Sequence, residues 1–257
     1  MTRTLEALRK ALERLPDALV VLSVVDSTQA LALRLADTLD GEPRFAGTIA
    51  ILARTQTRGM GRDGRTWVSP PGGLYLTRLD FSPGEALPDG LPLLAAAAAL
   101  RAMDAVGIRA GLRWPNDLVL ADAKVGGLLV HARRGEPSWS AVGLGLNVTA
   151  LPVLPPGEEA PVTRLADHWP GGPPPEDAVP RLAAAFLDGL RVAIGAPGPA
   201  RRLWEDRLLH RVGDPLRVRT GPSTVVTGTY LGVTSEGHLR LAVDGTERTF
   251  ASGILEP

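Results

Sequence analysis

Four arginines and three glycines alternate in a segment that lies between two apolar, strand-like runs. The arginines are Arg54, Arg58, Arg62 and Arg65, and the glycines are Gly59, Gly61 and Gly64. Because glycine has no Cβ, the backbone N–H groups of such a loop approach a ligand closely. The guanidinium groups add fork-shaped donors that fit carboxylate and phosphate oxygens. This composition is typical of an anion-binding loop.

Two other interpretations of the loop compete with this one. A solvated, glycine-rich connection between two strands needs no ligand. A dinucleotide fingerprint is the second alternative, since Gly59-Met-Gly-Arg-Asp-Gly64 matches G-x-G-x-x-G and Asp80 follows at a suitable distance for a ribose contact. That fingerprint requires a helix at the third glycine, with its N-terminus facing the pyrophosphate. Pro70 and Pro71 stop any such helix, so the sequence argues against a dinucleotide site.

The composition makes a few polar residues conspicuous. Of 28 Lys and Arg residues only Lys10 and Lys124 are lysines, and the chain has just two asparagines and two glutamines. In a chain that avoids these residue types, the few that occur point to a requirement for that side chain. Lys10 lies on the exposed face of a predicted helix and is incidental. The others fall within or beside the polar motifs: Gln29, Gln56, Asn116, Lys124 and Asn147.

Ser27, Thr28 and Gln29 follow an apolar run and open a predicted helix. Hydroxyl residues at such a position are typical N-caps. Capping and binding are compatible, because a helix N-terminus with free N–H groups and hydroxyls can also hold the polar end of a ligand.

Asn116 and Asp117 follow Pro115 at a predicted turn, and Lys124 begins the strand after it. By themselves these residues are equally consistent with a plain turn and a surface lysine. Asn147 closes the segment Gly143-Leu-Gly-Leu-Asn147, whose glycines alone would be explained by close packing of a flat strand.

These motifs are expected on the elements of an α+β fold. We predict strands over 19–25 and 139–148, and helices over 26–39, 90–106, 179–194 and 200–210. Residues 151–175 are rich in proline and glycine, including Pro155 and Pro156, and predict a surface loop with a short helical piece at 162–168. From Gly213 onward, short strand-like runs alternate with turns such as Asp244-Gly245, which predicts a small β-barrel.

Length, charge and composition exclude several classes of protein. The 257 residues suffice for one large and one small domain, and the formal net charge of zero does not suit a general nucleic-acid binder. No run approaches the roughly 20 apolar residues that span a bilayer. Cysteine is absent, which excludes disulfides and thiolate chemistry. Residues 1–15 have the pattern of an amphipathic helix rather than a signal peptide, so we expect a cytoplasmic protein without membrane contact.

The loop as a whole resembles the signature loop of the biotin–protein ligases, which wraps biotin and the phosphates of its adenylate. It reads Gln56-x-x-Gly-x-Gly-Arg-x-Gly-Arg-x-Trp67 and continues with Ser69-Pro-Pro-Gly-Gly-Leu-Tyr-Leu76. Trp114-Pro-Asn-Asp117, seven residues before Lys124-x-x-Gly127, resembles the same family. Three positions depart from it: Met60 and Arg113 replace the usual Arg and Lys, and His131 stands where an acidic residue commonly follows the strand.

The resemblance runs from about residue 20 to the end and implies a fold and a domain division. We expect a mixed sheet flanked by helices, like the catalytic domains of class II aminoacyl-tRNA synthetases and biotin ligases, over residues 1–210. An SH3-like C-terminal domain is expected over residues 211–257. Only about 20 residues precede the first motif, so a monofunctional ligase without the N-terminal DNA-binding domain is expected, with no DNA binding.

The resemblance also implies which residues bind which group. Biotin is expected to contact Ser27, Thr28, Gln29, Gln56, Gly59, Met60, Gly61, Arg62 and Lys124. ATP and the adenylate are expected at Arg62, Arg65, Trp67, Asn116, Lys124 and Asn147. Arg62, Lys124 and Asp117 are expected to carry the catalysis, and Mg²⁺ to arrive with ATP without dedicated protein ligands.

The function implied is a two-step reaction in which ATP activates biotin to biotinyl-5′-AMP and a lysine of a biotin carboxyl carrier domain takes up the biotin. A homodimer formed through a sheet edge is plausible from the family. Two alternatives stay open at this point: a lipoate–protein ligase, which shares the chemistry, and a non-catalytic sensor that binds biotin without forming the adenylate.

Overall fold

The structure, a computed structural model, describes residues 17–39, 46–82, 87–135, 138–154, 161–221 and 223–256. The predicted helix over 1–15, with Lys10, and the pair Pro155 and Pro156 lie outside the described residues. Across these ranges the chain forms twelve strands and four α-helices. The strands are β1 (Ala18–Leu22), β2 (Gly47–Ala53), β3 (Leu74–Ser82), β4 (Gly111–Arg113), β5 (Asp117–Leu120), β6 (Ala123–Arg133), β7 (Ser138–Leu146), β8 (Pro215–Arg219), β9 (Val225–Val233), β10 (Leu239–Val243), β11 (Thr246–Phe250) and β12 (Ile254–Glu256). The helices are α1 (Thr28–Leu39), α2 (Leu91–Asp104), α3 (Ala178–Gly195) and α4 (Pro197–Arg207).

The large sheet is mixed. Its described strands run in the order β1-β2-β3-β7-β6-β5-β4. β1 and β2 are parallel, and every later neighbouring pair is antiparallel. The long strands β3, β6 and β7 at its centre contribute residues that line the cavity described below.

Helices cover both faces of the large sheet. Side chains of α1 such as Ala32 and Ala36 pack on one face against Ile51, Leu79 and Ala141. On the other face α2 is almost entirely buried, and the alanines 95–99 are fully inaccessible. These small residues let α3 approach closely, since a Cβ added at Gly189 would lie 3.3 Å from the Ala98 carbonyl oxygen.

A second, antiparallel sheet follows at the C-terminus, with described strands in the order β11-β10-β9-β8-β12. Its inner residues, among them Val218, Tyr230 and Leu241, belong to the same apolar core as Trp114 of the large domain. The indole Nε1 of Trp114 donates a hydrogen bond of 2.9 Å to the carbonyl oxygen of Gly237. The two sheets therefore share one core.

The predicted α+β fold, a mixed sheet flanked by helices with a small C-terminal β domain, is confirmed. The strand predicted over 19–25 is too long: β1 ends at Leu22, and Val25 instead bridges Gln56 of the loop. The helical piece predicted at 162–168 is a 3-10 turn over Leu165–His168, because Val162 pairs with Lys124 in a β-bridge. No helix among the described residues is long and apolar enough to cross a membrane.

Candidate active site

The Arg/Gly loop forms an irregular hairpin rather than the start of a helix. Gln56 pairs with Ser69 and Met60 with Thr66 in antiparallel bridges. The only helical geometry within the loop is a three-residue 3-10 turn at Arg62–Gly64, in which Asp63 has a φ of 55°. A Cβ on Gly59 would lie 2.3 Å from the Trp67 carbonyl oxygen, so this glycine is required for the hairpin to close. The rejection of a dinucleotide fingerprint is confirmed by this geometry.

The hairpin covers a cavity of about 580 Å³ on the α1 face of the large sheet. The start of α1, the turn between β4 and β5, and residues 253–255 of the C-terminal sheet complete its walls. Nearly all the predicted site residues line this cavity: Ser27, Thr28, Gln29, Gln56, Met60, Gly61, Arg62, Arg65, Trp67, Asn116, Asp117, Lys124 and Asn147. Gly59 is the exception, since it is buried behind the hairpin and lines only an adjoining groove.

One end of the cavity is polar and uncharged. Gln56 Oε1 accepts hydrogen bonds from the backbone N–H of Thr28 at 2.8 Å and from its hydroxyl at 3.2 Å. Gln56 Nε2 in turn donates to the hydroxyl of Ser69 at 2.8 Å. The hydroxyl of Ser27 lies 3.4 Å from the backbone N–H of Ala30, which makes it the N-cap of α1 as predicted. This network fixes the loop against the start of α1.

Gln29 connects that network to the strands β3, β6 and β7 of the large sheet. Its Oε1 accepts a hydrogen bond from the Thr77 hydroxyl at 3.2 Å, and its Nε2 lies 2.9 Å from His131 Nδ1 and 3.1 Å from the Ala141 carbonyl oxygen. Thr77 and His131 were missed as contributors to the site. Thr77 alternates with Leu79 and Phe81 on the face of β3 that α1 covers, and a hydroxyl residue among these apolar positions is the sequence signal that singles it out.

The opposite wall is charged. Lys124 Nζ lies 2.6 Å from Asp117 Oδ1, and it also stands over the ring of Trp67 at 5.5 Å from the centroid. Such a carboxylate directs the ammonium by a charge-assisted hydrogen bond, and the aromatic face adds a cation–π contact. The indole Nε1 of Trp67 is buried without a hydrogen-bond partner among the described residues, at the lining of the cavity.

Arg62 points from the hairpin to the β4–β5 turn, where it donates a hydrogen bond of 3.2 Å to Asn116 Oδ1. Burial lowers the pKa of Arg62, while the charges of Asp63 and Asp117 oppose that shift. A guanidinium nevertheless stays protonated in proteins. Among the cations that line the cavity, Arg62 and Lys124 are therefore held by side-chain contacts within the site, and Arg62 is partly stripped of water.

Asn147 is buried at the end of β7, where its Nδ2 donates to the Thr163 carbonyl oxygen at 2.9 Å. Its backbone N–H bonds to the Val125 carbonyl at 2.9 Å. Asn147 thereby holds the segment around Thr163 beside Lys124, where Val162 and Leu154 line the cavity. The Met60 side chain is exposed at the rim.

Glycines make room for this arrangement. Gly143 and Gly145 of β7 lie across from Thr77 and Tyr75 of β3, on the face that α1 covers. A Cβ on Gly143 would lie 2.5 Å from Gln29 Oε1, and one on Gly145 would lie 2.6 Å from the Trp67 ring. The glycines of β7 are therefore explained by side chains that lie on the sheet, and not by strand packing alone.

The described residues hold no cluster of three or more histidines, aspartates or glutamates placed to bind a metal ion. What the cavity offers is a neutral polar end, an apolar floor and a cationic wall. This combination fits an elongated ligand with a polar head and an anionic tail, together with phosphate groups.

Comparison with known proteins agrees with this chemistry. The model of the biotin/lipoate A/B protein ligase family matches residues 21–147. A biotin–[acetyl-CoA-carboxylase] ligase of Paracoccus denitrificans is 34% identical over 238 residues, which cover 86% of this chain and 92% of that protein. The bifunctional ligase/repressor BirA of Escherichia coli is 31% identical over 253 residues, 92% of this chain and 73% of that protein. Among solved structures, the biotin protein ligase from Aquifex aeolicus in complex with biotin and ATP superimposes with a TM-score of 0.68 at 23% identity, covering 93% of this chain and 98% of that one.

Proposed function

The chain belongs to the biotin protein ligase family, and we propose that its cavity is the site where biotin is activated with ATP and passed to a lysine of a carrier domain. The observation that carries this proposal is the pairing of a neutral polar end with a cationic wall inside one cavity of about 580 Å³. Biotin has a neutral ureido head and a carboxylate tail, so it matches both ends.

The polar end is the proposed site of the ureido ring. Such a neutral head requires donors and acceptors in matched positions. Ser27, Thr28 and Gln56 are held there by the hydrogen bonds between the loop and α1. Gln29 lies next to them and is almost fully buried. Because these groups are fixed before a ligand arrives, binding does not have to order them.

In the first proposed step, a carboxylate oxygen of biotin attacks the α-phosphorus of ATP and pyrophosphate leaves. Negative charge is concentrated on the oxygens around phosphorus, and fixed cationic donors stabilise such charge most effectively in a water-poor site. Arg62 is the proposed bridge between the biotin carboxylate and the α-phosphate. Lys124 acts on the same oxygens as a point charge, oriented by Asp117 at 2.6 Å.

In the second proposed step, the amine of the carrier lysine attacks the carbonyl carbon of the mixed anhydride and AMP leaves. The amine must lose a proton as the amide bond forms. Asp117 is the proposed acceptor of that proton, since its carboxylate lies at the wall where Arg62 and Lys124 hold the anhydride. Its contact with Lys124 supports an orienting role as well.

We propose that the nucleotide lies toward Asn147, with Arg65 at the remaining phosphates. Mg²⁺ would accompany those phosphates and neutralise part of their charge. The described wall on this side of the cavity offers the aliphatic side chains of Pro152, Leu154 and Val162. We therefore propose that adenine is held by apolar contact with these residues.

The proposed macromolecular partner is a biotin carboxyl carrier domain, the substrate class that the names of the ligase relatives imply. A homodimer through the edge strand β1 is a further proposal, supported by the exposure of Val21 and Val24 at 42% and 60%. A cytoplasmic location is a further proposal, because the reaction proposed here consumes ATP.

The two alternatives are less well supported. The family model includes lipoate ligases, but the relatives that span most of this chain are biotin ligases. A sensor that only binds biotin has no need for a lysine–carboxylate pair beside a half-buried arginine, and both are present in the cavity.

The proposal is tested by mass spectrometry of the full chain mixed with biotin, ATP, Mg²⁺ and a carrier domain. We expect the carrier to gain the mass of one biotinyl group only when ATP is present. A carrier whose acceptor lysine is replaced by arginine serves as the matched control and stays unmodified. Lipoate in place of biotin should give no product. Biotin binding without pyrophosphate release would instead support the sensor, and transfer of lipoyl alone would support the lipoate ligase.

A further inference from the structure

The amide of Gln29 has a single orientation that satisfies its neighbours. The Ala141 carbonyl oxygen can only accept a hydrogen bond, so the Gln29 atom 3.1 Å away must be the donor Nε2. The other amide atom, Oε1, then faces the hydroxyl of Thr77 at 3.2 Å. Gly143 leaves room for this oxygen, since a Cβ there would lie 2.5 Å from it.

This orientation fixes the protonation state of His131. Gln29 Nε2 lies 2.9 Å from His131 Nδ1. Because Nε2 is the donor, Nδ1 must carry the lone pair, so the ring is neutral and bears its proton on its own Nε2. The ring is half-buried on β6, and burial lowers the pKa of His131 below its usual value of 6.5. The neutral ring is therefore the state that the fold favours.

We propose that His131 is a positioning residue for biotin: it fixes the Gln29 amide at the polar end of the cavity, and its protonation weakens biotin binding. This inference rests on the proposed function, because it assigns the polar end of the cavity to the biotin head. It adds a residue that lines the groove behind the cavity and has no described contact with the cavity itself.

Protonation of His131 would place two hydrogen-bond donors, its own Nδ1–H and the Gln29 amide N–H, opposite each other. With a proton on Nδ1, the ring and the Gln29 amide would both present N–H groups across 2.9 Å. If the amide rotates by half a turn to offer Oε1 to the ring, that oxygen also faces the Ala141 carbonyl, and two acceptors meet. Either response disturbs the chain of hydrogen bonds through Thr77 to Thr28, which are joined at 2.9 Å. The donor and acceptor pattern at the polar end then no longer matches its ligand.

The groups that surround His131 come from four elements. The loop contributes Arg58, Arg62, Asp63 and Arg65, which line the same groove of about 840 Å³. On β6, Arg133 lies two residues away and stacks on Trp139. α1 and β7 present Gln29 and Ala141, which do not titrate. Burial of the ring is what disfavours the imidazolium and lowers the pKa of His131.

The test measures the KM for biotin in adenylate formation from pH 5.5 to 8.5 in the wild type and in two variants. In the wild type, each pH unit below the pKa of His131 should raise the KM about tenfold, because only the neutral form binds well. His131→Asn keeps an acceptor on Cγ and cannot be protonated, so its KM should stay near the wild-type value at pH 8 and lose this rise. His131→Phe, which has no acceptor, should have a raised KM that does not change with pH.

The KM for ATP should not follow this pattern, which distinguishes positioning of biotin from a general loss of structure. His238→Asn, in the turn between β9 and β10, is the matched control and should retain the wild-type profile. Coincident profiles for the wild type and His131→Asn would overturn the inference.

A second measurement does not depend on ligand. Nitrogen NMR of the histidines, with His131 assigned from the spectrum of His131→Asn, should show a ring protonated on Nε2 that titrates below pH 6.5. A proton on Nδ1 at neutral pH would overturn the inference even if the enzyme is active. Absence of biotin binding at every pH would overturn the proposed function, and the inference with it, whereas normal ligation with pH-independent biotin binding would overturn the inference alone.

Discussion

Lys124 is held by the carboxylate of Asp117 at 2.6 Å and by the face of Trp67 at 5.5 Å. Its backbone is fixed as well, since Lys124 N–H bonds to the Pro161 carbonyl and its own carbonyl accepts from Thr163 N–H. A lysine normally loses much side-chain freedom when it is ordered. Here the contacts within the protein order the Lys124 side chain before a substrate binds. Electrostatic catalysis requires charged groups that are fixed in advance in this way.

We expect Lys124→Ala to lower the rate of biotin-dependent pyrophosphate release by about a hundredfold, the usual effect of removing one charge-stabilising donor. The measurement is steady-state pyrophosphate release with biotin and ATP at saturation. Arg191→Ala is the control: it removes one cation from an exposed ion pair with Asp188 and should leave the rate unchanged. A Lys124→Ala enzyme within threefold of the wild type would contradict the role proposed for this residue.

Arg62 supports a second prediction at this scale. Its contact with Asn116 joins the hairpin to the β4–β5 turn across the cavity. Arg62→Gly should therefore weaken retention of the adenylate more than its formation, and free adenylate should then label lysines of unrelated proteins. Mass spectrometry of ribonuclease A added to the reaction measures such labelling.

Arg54→Gly is the matched control for Arg62→Gly, because Arg54 is exposed and lies outside the cavity lining. It should label only the carrier domain. Unchanged selectivity in Arg62→Gly would show that this arginine does not retain the adenylate.

At the scale of elements, β7 is shaped by what lies on it. Alternate residues of a strand face the same side, and on the cavity side of β7 the chain has Gly143 and Gly145. Gln29 rests against the first glycine and Trp67 against the second. The ammonium group of Lys124 in turn lies over the Trp67 ring. Because these two positions are glycines, Gln29 and Trp67 can lie directly on β7, and this determines how deep the cavity is above the strand.

Gly145→Ala tests this dependence. The new Cβ would lie 2.6 Å from Trp67 Cε2, so the indole must move. Its contact with Lys124 is then disturbed. We expect kcat/KM for biotin to fall by roughly a hundredfold, the loss that a displacement of about 1 Å at a reacting group can cause. Gly195→Ala, at the end of α3 with nothing within 4 Å of its Cβ, should stay within twofold. Equal activity of the two variants would argue against the floor described here.

Elements with a strong local signal were predicted well from the sequence. The helix predicted over 90–106 is α2, and the turn predicted at Asp244-Gly245 joins β10 and β11. The short strands β4 and β12 were missed, because three residues carry no periodicity. β12 is defined only by its pairing with β8, a contact between residues more than thirty positions apart.

Most residues predicted for the site line one cavity, but the hydrogen bonds that connect them were not predicted. Scarcity of lysine, asparagine and glutamine singled out Lys124, Asn116 and Gln29, all of which line the cavity. The contacts of Gln29 with Thr77 and His131 depend on the register of β3, β6 and β7, which no local pattern specifies. The sequence marked His131 only as a position where this chain departs from the family. The structure shows that its side chain contacts Gln29.

At the scale of the whole molecule, the C-terminal sheet completes the cavity. Gly253, which precedes β12, and Ile254 and Leu255 within that strand line the cavity. A Cβ on Gly253 would lie 2.6 Å from Val218 Cγ1 and 3.6 Å from the Trp114 ring, so the sheet is packed tightly on that indole. Trp114 lies two residues before Asn116, the partner of Arg62. The small domain therefore supports the turn that faces the proposed phosphate site.

Trp114→Phe isolates this support, since it keeps an aromatic ring but removes the hydrogen bond of 2.9 Å to the Gly237 carbonyl. Trp204→Phe is the matched control: Trp204 is equally buried, but its Nε1 has no partner among the described residues. We expect Trp114→Phe to lower the free energy of unfolding by about 1 kcal/mol more than Trp204→Phe does, the usual net contribution of a hydrogen bond. Urea unfolding measures that difference. Trp114→Phe should also raise the KM for ATP, because the Asn116 turn loosens, whereas Trp204→Phe should not. If both variants lose the same stability and keep the same KM, the C-terminal sheet covers the cavity without positioning that turn.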